Sequence, residues 1–427
     1  MSASRRQFSA VFLVVLFIVG IVVGMAVGYF GLHTTASTSQ SNNQLSGTIT
    51  LGALLPITGA ISAGSVVTTA VTLAVNDVNS WLNATGNTNV KFAIKVDDTQ
   101  TNPAVALTDM QTLAGDGVKV FIGPMTSSEV SNVLSYADSN HLVMLETGTA
   151  ASITAANPYR YMIVPSDDLE TQSLASLIYQ KGFTHVVMMW RDDSWGGPFS
   201  SAFTSAFEAL GGKVMDNISY APSTTDFTTQ LTQLQTDYNS AVKTYGANRV
   251  AVVALSFDEL AAILNQAKSY NPLLSAQWFT DDTEVQTTAT ISNAGSLASQ
   301  VHLFGLVWTP TISAKYNAFE QEYFAAEHQN ASAFTAALYD GVWLAALSVL
   351  AAGKYSGASV SAALPKVANN YFGVTGWMQL DGNGNRATSN YNIYEVNPTN
   401  SSSFAWQLVG LWNAGSGQIS YNSQLRQ

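Results

Sequence analysis

Apolar runs too short for helices alternate with stretches whose apolar residues recur at helical spacing, and the alternation continues from Ile49 into the 300s. Residues 49–55, 90–96 and 118–122 have strand composition, whereas 65–82 and 104–114 repeat with a helical period. Strands separated by helices pair in parallel, and each crossover helix covers one face of the resulting sheet. The expected fold class is therefore α/β. A second series begins after Pro165, with helices over 169–180, 199–210, 227–238 and 258–269 and strands over 185–190, 213–218, 249–255 and 276–279. Two such series within 427 residues predict two similar lobes. Beyond residue 301 come another strand and two long helices, over 314–326 and 331–352. The end changes character, with 377–380, 392–396 and 406–411 reading as antiparallel strands around an Asp381-Gly-Asn-Gly turn.

Charge and cysteine usage exclude several function classes. Only 11% of residues are charged, against about 25% in an ordinary soluble protein. The net charge is -11, and no run of Lys or Arg is long enough to follow a phosphate backbone, so nucleic acid is not an expected partner. The sparse charge also suits an acidic exterior. Without cysteine the chain has no disulfide, thiolate metal site or lipidated cysteine anchor. A polypeptide tether is present instead: Arg5 and Arg6 precede an uninterrupted apolar run over 10–32. At about 1.5 Å per residue that run can cross a hydrocarbon core of about 30 Å, with its positive end inside and the remaining chain outside. It is longer than the usual apolar region of a cleaved signal peptide, the rival reading. Segment 1–33 is thus expected to be a transmembrane anchor or signal segment and the Ser/Thr-rich stretch 34–47 a linker. Four N-x-S/T triplets, at Asn83, Asn217, Asn330 and Asn400, fit an outward-facing chain.

The stretch GPMTSSEVSNVLSYADSNHLVMLETGTAA, over 123–151, contains two turns that follow short strands, each supplying hydroxyls and main-chain N–H groups. Turns at the carboxyl ends of parallel strands, leading into helices, receive anions. Little supports catalysis. The five histidines are dispersed without an H-x-x-x-H pair, and there is no G-x-S-x-G elbow, phosphate-binding Gly-Lys loop or G-x-G-x-x-G. Asp97 and Asp98 read as a solvated or capping pair.

Read together, GALLPITG (52–59), VKVFIGPMTSSEV (118–130), PSDDLETQ (165–172), RDDSWGGPFSSAFTSAFEALGGKV (191–214), ALYDGVWLAA (337–346) and VTGWMQLDGNGNR (374–386) resemble the branched-chain amino-acid (Leu/Ile/Val) binding proteins. These are type I periplasmic binding proteins of ABC transporters. The resemblance covers about 49–409 and implies two Rossmann-like lobes joined by a three-crossover hinge. The crossovers would fall near Pro165, Val307 and Trp377, giving lobe 1 as 48–165 with 308–376 and lobe 2 as 166–307 with 377–427. It implies a non-enzymatic, cofactor-free solute-binding protein that closes on an amino acid or similar small zwitterion and serves an ABC permease from the outer face of the cell membrane. A surface sensory head of the same fold, or an amide or urea ligand, is the alternative.

The resemblance also assigns roles. Ser127, Ser128, Thr149 and Ala150 would surround an α-carboxylate with hydroxyls and N–H groups. Asp167 and Asp282 would accept from an α-ammonium, and Trp195 would close over the ligand. Each has a plainer reading: helix caps for the serines and Asp167, a turn for Asp282, core for Trp195. Ala63 and Ser256 stand where the family carries tyrosines, so a leucine-shaped pocket is not implied. Glu146 either reads a basic or amide group or faces away.

Overall fold

The computed structural model describes residues 45–150, 153–387 and 389–422. The expected membrane segment over 10–32, and the linker up to residue 44, lie outside the described residues. In the first sheet β1 (Gly47–Leu55), β2 (Val90–Asp98), β3 (Val120–Ile122), β4 (Val143–Glu146) and β5 (Arg160–Met162) are parallel in the order β2-β1-β3-β4-β5. Helices α1 (Ser65–Ala84), α2 (Pro103–Gly115) and α3 (Ser127–Ser139) make its crossovers.

The chain then leaves through α4 (Asp167–Gln180) and builds a second sheet from β6 (His185–Arg191), β7 (Lys213–Tyr220), β8 (Val250–Leu255), β9 (Trp278–Thr280) and β10 (Phe304–Trp308). Its helices are α5 (Gly196–Ala209), α6 (Thr228–Tyr245), α7 (Leu260–Gln266), the single turn α8 (Asn271–Leu274) and α9 (Thr288–Gln300). Next, α10 (Ala314–Glu327), α11 (Ala333–Ala352) and α12 (Gly357–Ala368) follow, and α11 and α12 pack against the first sheet. A two-stranded ribbon, β11 (Phe372–Gly373) and β12 (Gly376–Trp377), precedes the last return. There β13 (Tyr391–Pro398), β14 (Phe404–Asn413) and β15 (Gln418–Tyr421) run antiparallel and extend the second sheet to eight strands. Two parallel-sheet lobes in one α/β chain match the expected fold class.

In the first sheet strand order reverses between β1 and β3, and in the second between β6 and β8. These are switch points, where loops leave in opposite directions and a crevice opens at the carboxyl ends of the strands. Helix α11 is long and apolar enough to span a bilayer, yet it is a core helix, enclosed by α1, α12 and the first sheet.

The structure departs from expectation in several places, among them the unexpected strands β5 and β15 and the single turn α8. Helices α9 and α12 were not expected, because α9 is rich in Ser and Thr with a kink at Ala294, and α12 contains Pro365. The strand expected over 377–380 contracts to the β12 pair. The third crossing comes later than Trp377: Asn385 bridges to Met162, the Arg386 N–H donates to the Met162 carbonyl at 3.0 Å, and the chain enters the second sheet only at Tyr391.

Asp340 explains the path before that crossing. This fully buried carboxylate on α11 accepts the N–H groups of Val374 and Thr375, both at 2.8 Å, the Thr375 hydroxyl at 2.5 Å and the Tyr371 hydroxyl at 3.0 Å. A Cβ on Gly373 would lie 2.1 Å from Asp340 Oδ1, so only glycine fits there. Removing the acceptor strands several buried donors at once. We predict that Asp340→Ala lowers unfolding free energy by roughly 3–5 kcal/mol in urea titrations, and a change below about 1 kcal/mol would show that the cage is not structural.

Candidate functional site

The carboxyl ends of β1, β3 and β4 face those of β6, β8 and β9 across a cavity of about 200 Å³. On the first-sheet side the wall is built on the turn after β3. Gly123 has φ +85° and a Cβ there would lie 2.3 Å from the Leu54 carbonyl oxygen, so the turn presses onto β1 as only glycine allows. Thr126 caps α3 and forms a reciprocal capping box with Glu129. Ser127 follows in the first helical turn, where N–H groups lie beyond the helix's own carbonyls.

The structure corrects the expected carboxylate cradle. The N–H groups of Thr149 and Ala150 do not open into the cavity, because both donate to Ser127 Oγ at 3.1 Å. Ser127 thereby accepts two bonds and keeps its own O–H for donation into the cavity it lines. Thr149 lines the cavity through its side chain, whereas Ala150 is buried outside the lining. Ser128 faces an adjoining cavity, with Asn102 and Arg191, and not the first one.

Glu146 faces away from the cavity. It pairs with fully buried Arg160 at 2.9 Å and accepts the Gly148 N–H at 2.6 Å, so it shapes the Thr-Gly-Thr turn from behind. Burial pushes its carboxyl up to about 7 despite the opposing Arg160 charge. Asp98 is a capping carboxylate, accepting the Thr58 N–H at 3.0 Å and hydroxyl at 2.6 Å, which holds the loop that brings Ala63 to the cavity.

On the second-sheet side Trp195 stands at the start of α5. Arg191 Nε donates to Asp193 at 2.8 Å, and Asp193 Oδ1 accepts the Trp195 and Gly196 N–H groups at 2.9 and 3.0 Å. The indole packs on Phe257, 5.1 Å between centroids, and forms part of the wall. Asp282 also lines the cavity. Asp167 does not: its carboxyl is buried behind the wall, beside the Thr149 hydroxyl and the Trp195 indole. Ser256 is likewise buried outside the lining, its N–H donating to Asp281 at 3.1 Å, while the neighbouring Phe257 supplies the wall. The structure thus gathers Ser127, Thr149, Trp195 and Asp282 around one cavity, and leaves Ser128, Ala150, Asp167 and Ser256 off it. At the mouth, the Ser62 N–H donates to Asp258 Oδ2 at 3.1 Å, joining the loop after β1 to the loop after β8.

Sequence reasoning missed Glu170, Asp281 and most of the apolar wall, including Val285 and Phe334. Both acids were visible in the PSDDLETQ and WFTDD stretches, and Glu170 follows Asp167 by three residues, hence on the same helix face.

Comparison with known proteins gives the family of the chain. Residues 66–399 match the family model described as "Receptor family ligand binding region". The chain belongs to this receptor ligand-binding family. Its fold is that of type I periplasmic binding proteins, a family of binding proteins and not of enzymes. A leucine-binding protein from Thermotoga maritima superposes with a TM-score of 0.70 at 18% identity, covering 88% of this chain and 100% of that one. The branched-chain amino-acid transporter substrate-binding protein of Streptococcus pneumoniae, solved with isoleucine, gives 0.68 at 20% identity, covering 85% of this chain and 100% of that one. An uncharacterized protein of Methanocaldococcus jannaschii is 25% identical over 408 residues, covering 91% of this chain and 94% of that protein.

Within this member of the family, burial dominates the acids near the cavity. It lifts Asp167 to about 8 and Asp281 to about 6, and raises Glu170, Asp282 and Glu284 well above the carboxylate range. Acids that hold protons more tightly when folded bind more protons in the native state than in the unfolded one, so stability falls as pH rises. The window opens near the unfolded values, about 4, and extends to the folded values. We predict that the thermal midpoint rises as pH is lowered from about 8 to about 5. A midpoint that falls over this range in calorimetric scans would overturn the assignment.

Proposed function

We propose that the protein is an extracytoplasmic solute-binding protein that captures an amino acid or similar small zwitterion and presents it to an ABC permease. The observation that carries this reading is the polarity of one cavity. Its first wall offers the Ser127 hydroxyl at a helix start, with no basic side chain in the lining, and the opposite wall offers the Asp282 carboxylate. A carboxylate suits the former and an ammonium the latter. Between them lie Val66, Trp195, Phe257, Val285 and Phe334, an apolar surface for a side chain. Neighbours of the same fold solved as a leucine-binding protein and with isoleucine support the class of ligand. Ala63 and Gln286 in the lining leave the identity of the side chain to experiment.

In this reading the lobes are 47–165 with 308–386 and 166–307 with 387–427, the last crossing following the pairing of Asn385 and Arg386 with Met162, and the ligand draws them together because it contacts both. Segment 1–33 tethers the head to the cell membrane, with Arg5 and Arg6 inside and the head outside. The stretch 34–46, ahead of β1, is its stalk. Thr149 adds its side chain to the lining, and Asp167, Ser128, Ala150 and Ser256 support the site from behind or beside it.

A thermal-shift screen over amino acids, amides, urea and small carboxylates tests this, since a ligand at about 100 times its Kd adds about 2.7 kcal/mol. We expect an amino acid to stabilise the protein and Asp282→Ala to weaken its binding by roughly 2–5 kcal/mol in calorimetry. If no compound shifts the midpoint, or if Asp282→Ala binds as tightly as the parent, the proposal fails.

A further inference from the structure

Asp258 reaches across the mouth of the cavity. Its Oδ2 accepts the Ser62 N–H at 3.1 Å, and its own N–H donates back to the Ala60 carbonyl at 3.4 Å. Ser62 belongs to the loop after β1 and Asp258 to the loop after β8, so the two bonds join the first lobe to the second at a place where the chain does not cross. Both residues line the cavity. Neither end is free to drift toward the other. On the first side Thr58 is held by Asp98, the Ile61 N–H donates to Thr101 Oγ1 at 3.0 Å, and the Ala63 and Gly64 N–H groups donate to the Pro56 and Ile57 carbonyls at 3.1 and 2.9 Å. On the second side both neighbours of Asp258 are fixed. Phe257 packs on Trp195, and Glu259 accepts from Arg191 Nη1 and from the Tyr220 hydroxyl, each at 3.0 Å.

A hydrogen bond tolerates displacement of only a few tenths of an ångström. Two ends that are each braced on their own lobe can therefore bond only while the lobes stand together, and the bond is lost as soon as they part. An interaction made in one of two states shifts their balance by its own free energy. We infer that Asp258 is a clasp between the lobes: through the Ser62 N–H it favours the closed form before any ligand adds its contacts, and so tunes the apparent affinity for whatever the cavity holds. Its acceptor is a carboxylate, which makes the bond stronger than one between neutral groups. Apparent affinity rises with the fraction of protein already in the binding form. Release requires the clasp to open, so its effect falls mainly on the dissociation rate.

The clasp rests on the reading that the two lobes close about a hinge, but its test works without a ligand. The chain has no cysteine, so a pair of spin labels goes only where cysteines are introduced. Thr108→Cys in α2 and Thr236→Cys in α6 place one label on each lobe at exposed positions. Those helices follow Asn102 and Pro222, which face each other across the adjoining cavity, so opening separates the labels. The full chain, purified in detergent, carries this pair in the parent, Asp258→Ala and Asp258→Asn backgrounds. Pulsed electron spin resonance reads the distance between lobes with and without L-leucine, L-isoleucine and L-glutamine. Without ligand, we expect the ratio of short to long distances to fall about tenfold in Asp258→Ala, the loss of one hydrogen bond to a charged group. Asp258→Asn, whose amide oxygen accepts the same N–H, should stay within about threefold of the parent. Equal ligand-free ratios in the parent and Asp258→Ala, or a ratio in Asp258→Asn as low as in Asp258→Ala, would overturn the clasp and leave the solute reading intact. If none of the amino acids restores the short distance in Asp258→Ala, that result counts against the solute reading, while the ligand-free difference still upholds the clasp.

Discussion

The arrangement of the two sheets depends on Arg386. Its guanidinium donates to the Ile163 carbonyl at 3.3 Å, to the Thr375 hydroxyl at 2.9 Å and to the Thr375 carbonyl at 3.0 Å, and it lies 4.9 Å from the centre of the Trp308 ring. Ile163 follows the last strand of the first sheet, Trp308 ends β10, and Arg386 itself opens the final passage to the second sheet. One buried cation therefore touches all three places where the chain crosses. Burial lowers its pKa to about 10, the Asp340 charge opposing the shift. Thr375, held by Asp340, is the acceptor that joins the two charges into one node. A parallel device lies beside it, where Arg160 pairs with Glu146 and donates to Asn385 at 2.6 Å. Each covers polar groups that burial would otherwise leave unpaired.

This node bears on the cavity through geometry. Glu146 fixes the Thr-Gly-Thr turn by taking the Gly148 N–H, and that turn gives two N–H groups to Ser127. The hydroxyl in the cavity wall is thus set by a chain of hydrogen bonds that begins at the crossings. On the facing wall the acids are set by α4 and the end of β9, brought together by the bond from Asp282 to Glu170. The two walls differ in kind: one is uncharged and donates, the other is acidic and accepts. A small molecule with unlike ends fits that difference in one direction only.

Much of the fold was legible, because parallel sheets leave a strong imprint. A buried strand is an apolar run of limited length, and a crossover helix repeats with its own period, so the series through β10 could be read along the chain except for the three-residue β5, too short to leave a pattern. The parts that escaped lack that imprint. Helix α9 is too polar for a clear stripe, and α12 contains a proline. The third crossing was misplaced at Trp377 because its position depends on the Asn385 bridge and on Arg386 bonding back to β5, contacts more than two hundred residues apart in sequence.

The sequence by itself determined the α/β class, the two series, the absence of cysteine chemistry and the residue types of both walls. Those follow from local periodicity and composition, which act over a few residues. Only the tertiary structure decided which polar atoms reach the cavity. Thr149 and Ala150 carry N–H groups that suit an anion, yet Ser127 takes both, and Asp167 and Ser256 sit behind the wall while Phe257 replaces the latter in it. Glu170 lies beside Asp282 across more than a hundred residues of chain. A hydrogen bond depends on position within a few tenths of an ångström, and packing, not local pattern, sets position at that scale.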